Sequence, residues 1–167
     1  GSPFLTADYM NATVHLKDNK YVADILVKFN IYNNFIMVKM DDGQELKLDN
    51  FKSVTWDEKN DDGTVKHYEF AMGYPEIDKH SDRAVYQVLS AGPNAHLLKY
   101  ISQKVEDANT LGDYSRRELV KSEQLYLYVP SKDIKKIKAS KKDITEALPA
   151  LANKIEEIAA NNNLKLK

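Results

Sequence analysis

The sequence predicts an α+β protein that is mainly β: an antiparallel meander forming a curved sheet or barrel-like core, with two C-terminal helices packed on it. Three observations carry this. Between Tyr21 and Met40 apolar and polar side chains alternate on either side of Asn33-Asn34; strand side chains point to opposite faces in turn, so this stretch buries one wall and wets the other. Further strand-length apolar groups follow, separated by polar turns, as a meander requires. Beyond Ser140 the apolar spacing switches from two to steps of three and four, the spacing of a helix face.

The elements follow in order. Phe4 to Asn11 is mixed and suits a helical turn or an edge, and Ala12 to Lys17 alternates with Val14 and Leu16 on one face. Asp18-Asn19-Lys20 turns into a long strand in which Tyr21, Ala23, Ile25, Val27, Phe29 and Ile31 share a face. Asn33-Asn34 tolerates positive φ and suits a hairpin, and the return strand aligns Ile36, Val38 and Met40. Asp41-Asp42-Gly43 makes the next turn, with Gly43 supplying the left-handed position. Leu46 and Leu48, then Phe51, Val54 and Trp56, and then Tyr68, Phe70 and Met72 mark further strands.

Gly73 to Arg83 is irregular and charged and reads as surface. Ala84 to Leu89 is apolar enough for a buried strand, Gly92-Pro93-Asn94 is a turn, and Ala95 to Val105 reads as a long strand. Glu106 to Glu123 lacks a period and reads as a mobile or edge loop. In the next strand Leu125, Leu127 and Val129 face one way, and Tyr126 and Tyr128 the other; Ile134 and Ile137 suit a short last strand. Ser140-Lys141-Lys142-Asp143 resembles a capping box. Pro149 divides the following Ile/Leu stripe, giving one helix to about Leu148 and a second from Pro149 to about Ala160. A single domain over 1–167 is expected, with a β-rich core at 12–138 and a helical segment at 140–161.

Charge and composition exclude some chemistry. The 167 residues carry a net charge of −1, so the chain as a whole makes no case for a nucleic-acid partner or an anionic membrane. Residues 131–167 hold nine lysines against five acids, a basic end that reads as a solvated helix surface. There is no cysteine, which removes disulfides, thiolate nucleophiles and Cys-based zinc sites. No apolar run approaches the ~20 residues of a membrane span. No signal peptide is read in this chain, and Gly1-Ser2-Pro3 suits either a cloning remnant or the start of a mature protein.

Candidate sites are few. Glu58, Asn60, Asp62, Gly63 and Glu69 follow calcium-loop spacing, with Val65 at the usual apolar position. The first ligand is Glu where Asp is needed, and the flanks read as strands, so an acidic hairpin loop is the simpler account. Beyond calcium there, no cofactor is expected. Asp78, His80 and Asp82 alternate and would share a face in an extended segment, a ligand set suited to a divalent ion, although nothing fixes a second shell and a solvated polar loop is the simpler account. His15, His67 and His96 lie in strand-like segments without an evident partner. Tyr126 and Tyr128 can stack on a sugar or base, or serve as ordinary cross-strand tyrosines, and Arg116 beside Tyr114 offers an anion contact. Phosphate loops, nucleophile elbows and zinc-protease motifs are all absent from the sequence.

Several segments together resemble small exported proteins of unknown function from Gram-negative bacteria: Gly1-Ser2-Pro3-Phe4-Leu5, Phe29-Asn30-Ile31-Tyr32-Asn33, Tyr86-Gln87-Val88-Leu89 with Gly92, Leu97-Leu98-Lys99, and Ser140-Lys141-Lys142-Asp143. The resemblance implies export to the periplasm or outer surface and carries over no catalytic residue. The expectation is a non-enzymatic, exported binding or interaction module whose partner is a protein or a cell-envelope component. Two alternatives stand beside it: a barrel-like carrier enclosing an apolar ligand among Phe29, Ile31, Tyr68 and Phe70, and a hydrolase using the carboxylates of Asp57–Glu69 and Asp78–Asp82.

Overall fold

The structure, a computed structural model, describes residues 1–107, 117–147 and 159–160. Its strands are β1 (Met10–His15), β2 (Tyr21–Asn30), β3 (Phe35–Lys39), β4 (Glu45–Leu48), β5 (Ser53–Lys59), β6 (Val65–Ala71), β7 (Tyr86–Ala91), β8 (His96–Asp107), β9 (Arg117–Tyr128) and β10 (Ile134–Ile137). They form one ten-stranded antiparallel sheet in the order β10-β9-β8-β7-β6-β5-β1-β2-β3-β4. Two meanders, β1–β4 and β5–β10, meet where β5 returns to pair with β1.

That return forces the sheet to curl. From Leu48 to Ser53 the chain can span only about 17 Å when fully extended. On a flat sheet the four strand intervals between β4 and β5 would measure about 19 Å. Curling also explains why Ile101 of β8 joins the same buried cluster as Val27 and Phe29 of β2, and why the Gln103 side chain donates to the Ser2 carbonyl at 3.0 Å. The sheet nevertheless does not close: no ladder joins β4 to β10.

The inner face of β1–β6 is apolar. The ladders set Val14 opposite Val54 and Val54 opposite Phe70, and Val27 opposite Val38 and Phe29 opposite Ile36. Phe29 stacks on Phe70 at 4.9 Å, and Trp56 stacks on Phe70 at 5.1 Å. Phe29, Ile31 and Phe70, expected to line a cavity for an apolar ligand, are buried in this cluster with Tyr68 packed against it. At the other end, Leu97, Leu125, Leu127 and Ile137 pack with Ile144 of α1 (Lys141–Ala147).

Four sequence expectations change. Tyr21 and Ala23 do not continue the apolar face of Ile25 and Val27, because a bulge intervenes and Val22 pairs with Val14. Asp24 takes φ 58 there, a left-handed conformation that Asp tolerates better than most residues. Glu106–Glu123 is no loop throughout: both arms belong to twelve-residue strands paired from His96↔Tyr128 to Asp107↔Arg117, and weak alternation hid a ribbon that extends into solvent. Gly73–Arg83 is not simply surface, since Tyr74 is buried. Finally, of the two expected C-terminal helices the structure describes one, the short α1, together with a helical pair at 159–160. The helix expected from Pro149 to about Ala160 lies outside the described residues apart from 159–160. Ser140 caps α1, its hydroxyl accepting the Asp143 N–H at 3.0 Å, but the Ser140 N–H donates to the Lys138 carbonyl and not to Asp143.

Candidate functional site

The outer face of β7–β10 is covered by a strap, residues 73–85. Gly73 opens it at φ 96, where a side chain would be strained, and its N–H donates to the Asp82 carbonyl at 2.8 Å to draw the base together. The tip is a tight turn in which Ile77 and His80 exchange backbone hydrogen bonds of 2.8 and 3.3 Å. Both central residues are left-handed, Asp78 at φ 51 and Lys79 at φ 68. Such conformations cost of order 1–3 kcal/mol each for ordinary residues and persist only where surrounding contacts impose them.

Those contacts come from the sheet. The Tyr126 hydroxyl donates to Asp78 at 2.7 Å, and Lys136 Nζ lies 3.3 Å from the same carboxylate. His80 lies flat on Tyr100, ring centres 3.8 Å apart and planes 15° from parallel, with Nδ1 3.2 Å from the Tyr86 hydroxyl. Tyr86 and Tyr126 meet edge to face at 5.6 Å. Behind them Tyr74 sits 3.0 Å from His96 Nδ1 and edge-on to Tyr86 and Tyr128. At the strap's far end Asn34, on the β2–β3 turn, donates to the Val85 carbonyl at 3.0 Å and accepts its N–H at 2.8 Å, imitating a strand.

This environment fixes the charge states. The Tyr126 hydrogen bond, with help from Lys136, holds the Asp78 carboxyl below its ordinary value. Burial, followed by Asp78, pushes Tyr126 up, and burial raises Tyr86 to about 12. Burial lowers both His80 and His96, against the pull of Asp78 and Glu69 respectively. The tyrosines are therefore neutral near neutral pH, with Tyr126 donating to an anionic Asp78, and the imidazoles are uncharged.

Beside the stacked pair lies an open depression of about 590 Å3, lined by Asp78, Lys79, His80, Tyr100, Ser102, Gln124, Tyr126 and Lys136. The sequence candidates Asp78, His80 and Tyr126 meet here. Tyr128 stands one row away against Tyr74 and His96. Asp82 does not join them, because its carbonyl is engaged at the strap's base. Arg116 lies outside the described residues.

The acidic loop of β5–β6 is a hairpin turn. Asn60 donates to the Thr64 hydroxyl, while Asp62 accepts both the Thr64 N–H and hydroxyl. The register sets Glu58 opposite Lys66 and Glu69 opposite Thr55, so Glu58 and Glu69 point to opposite faces and do not converge on one ion. Among the described residues no three His, Asp or Glu side chains are grouped to hold a metal. His67 does have a partner: Asp57, directly across the ladder at 2.6 Å, in an exposed pair.

Sequence reasoning missed Tyr74, Tyr86, Tyr100 and Lys136. The ten tyrosines were a usable signal, since buried phenols need hydroxyl partners and so gather into networks. Compared with protein-family models, characterised proteins and solved structures, the chain matches none. No helix among the described residues is long and apolar enough to cross a membrane.

Proposed function

We propose that this chain is a non-enzymatic binding module and that the depression beside His80 and Tyr100 receives a saccharide. The observation that carries the reading is the stacked His80–Tyr100 pair at 3.8 Å, an ordered apolar platform at the edge of a polar rim. A sugar has an apolar C–H face and a ring of hydroxyls. The rim offers both halves of each hydrogen bond: Asp78 accepts, Lys136 donates, Ser102 does both, and Gln124 offers its amide oxygen, its nitrogen already donating to the Leu125 and Ile137 carbonyls. Fixing such groups before the ligand arrives saves ordering entropy, and the strained turn held by Tyr126 and Lys136 does so. A glycan is the envelope component that suits this chemistry. The hydrolase reading is less well supported, because Asp78 is committed to Tyr126 and Lys136 while His80 Nδ1 faces Tyr86.

Saturation-transfer NMR with a panel of neutral and acidic oligosaccharides tests this. At least one should bind in the millimolar range or tighter, and both Tyr100→Ala and Lys136→Ala should weaken it by about tenfold. A panel without a binder, or binding indifferent to both substitutions, would remove the reading.

A further inference from the structure

The opposite end of the sheet carries a different surface. On the outer face from Leu26 to Lys47, the register alternates lysines with apolar groups. One row runs Lys28, Met37, Lys47; the next runs Leu26, Lys39, Glu45. Rows on one face lie about 7 Å apart and strands about 4.8 Å, so the three ammonium stems rise from a patch about 10 Å across.

Each ammonium rests on a ring. Lys28 Nζ is 4.7 Å from the centre of Tyr9 and 5.0 Å from that of Phe4, Lys39 Nζ is 5.5 Å from Tyr9, and Lys47 Nζ is 5.5 Å from Phe35. Tyr9 hydrogen-bonds to Glu45, one of two acids on this patch; the other, Asp49, lies 3.9 Å from Lys47 Nζ. Burial and Glu45 raise its hydroxyl to about 12, so the phenol adds no negative charge.

We propose that this face binds single-stranded nucleic acid, with Lys28, Lys39 and Lys47 pairing phosphates and Tyr9 and Phe35 stacking bases. Half-exposed rings interleaved with cations form the surface that sequence-tolerant single-strand binders use. The resting contacts explain how it would engage. An exposed ammonium–ring contact is weak, whereas phosphate pairing and base stacking each exceed it. A phosphate that draws a lysine off its ring therefore uncovers that ring for the neighbouring base. The net charge of −1 argues against long-range attraction for the chain as a whole, but locally three lysines stand against Glu45 and Asp49, the latter an exposed partner 3.9 Å from Lys47 that a phosphate would have to displace. An acidic polysaccharide would satisfy the lysines and leave the rings unused.

Fluorescence anisotropy with a labelled fifteen-nucleotide oligothymidylate separates these cases. At low salt it should bind in the micromolar range, with log K falling against log salt at a slope of about −2 for three phosphate contacts. An abasic strand of equal length should bind at least about tenfold more weakly, since each lost stack removes roughly that factor. The double variant Lys28→Gln/Lys39→Gln, at one partly exposed and one exposed position and checked for an unchanged urea midpoint, should also lose about tenfold or more, whereas Tyr100→Ala in the distant depression should change nothing. Equal binding of the abasic strand or of heparin, undiminished binding by the double variant, or no binding at high micromolar protein would overturn the proposal.

Discussion

From β1 to β6 the sheet buries its inner face with Val27, Phe29, Val54, Trp56 and Phe70 and leaves much of its outer face to lysines and half-exposed rings. From β7 to β10 both faces are covered, the inner by α1 and the outer by the strap. A face buried once can be wholly apolar. A sheet buried on both sides near a polar strap brings hydroxyls and imidazoles inside, and each then needs a partner. The second end therefore uses tyrosine where the first uses phenylalanine, and its hydrogen bonds position the one depression assigned a ligand above. Packing alone explains the core of the first end, whereas in the second the hydrogen bonds that satisfy buried hydroxyls also order the depression beside them.

Phe70→Ala breaks the apolar end most severely. Phe70 is fully buried between Phe29 and Trp56, and removing its ring should cost about 3–5 kcal/mol in urea unfolding. Asn34→Gly strikes the strapped end. Glycine accepts the left-handed φ of 54 but loses both bonds to Val85, so the expected loss is about 1–3 kcal/mol. Hydrogen exchange should accelerate in residues 73–85 and leave β5 and β6 protected; uniform acceleration would mean the strap is not a separable unit.

Acid should sharpen the contrast by a smaller amount. Burial holds the folded His80 and His96 below the ordinary 6.5, so below that pH the unfolded chain binds more protons. Their contribution is complete above about pH 6.5 and is lost as pH falls through the folded values. The Asp78 contribution, with its pKa depressed from 3.8, should survive to lower pH. Urea midpoints at neutral and mildly acidic pH should differ, and His80→Phe/His96→Phe should flatten the difference. The smallest change belongs to Trp56→Phe. Among the described residues its buried Nε1 has no hydrogen-bond partner, so the loss of ring volume is partly offset by removal of an unpaired donor, leaving about 1 kcal/mol or less.

Strand alternation made the first end legible: Val27, Phe29, Ile36, Val38, Val54 and Phe70 fall on the face their spacing indicates. The split of Leu125 and Leu127 from Tyr126 and Tyr128 is equally local and equally readable. The Asp24 bulge was not, because a single left-handed residue reverses parity without altering composition. The strap was illegible for a different reason. Its fold depends on partners from 48 to 58 residues away in sequence, such as Tyr126 and Lys136 for Asp78, or 51 away for Asn34 and Val85. Spacing reports which way a side chain points from its own strand, but not which distant strand it meets.

A sheet that curls without closing keeps two edge strands, unpaired among the described residues, and a rim of free N–H and C=O groups is a template for another chain. Here both rims are four residues long, β4 and β10, and each carries lysine: Lys47 on one, Lys135 and Lys136 on the other. A second copy approaching edge to edge would have to desolvate charged side chains for very few ladder bonds, and at β10 those charges are alike. Lys136 thus holds Asp78 within its own molecule and also sets a charge on an edge strand, the placement that disfavours edge-to-edge pairing.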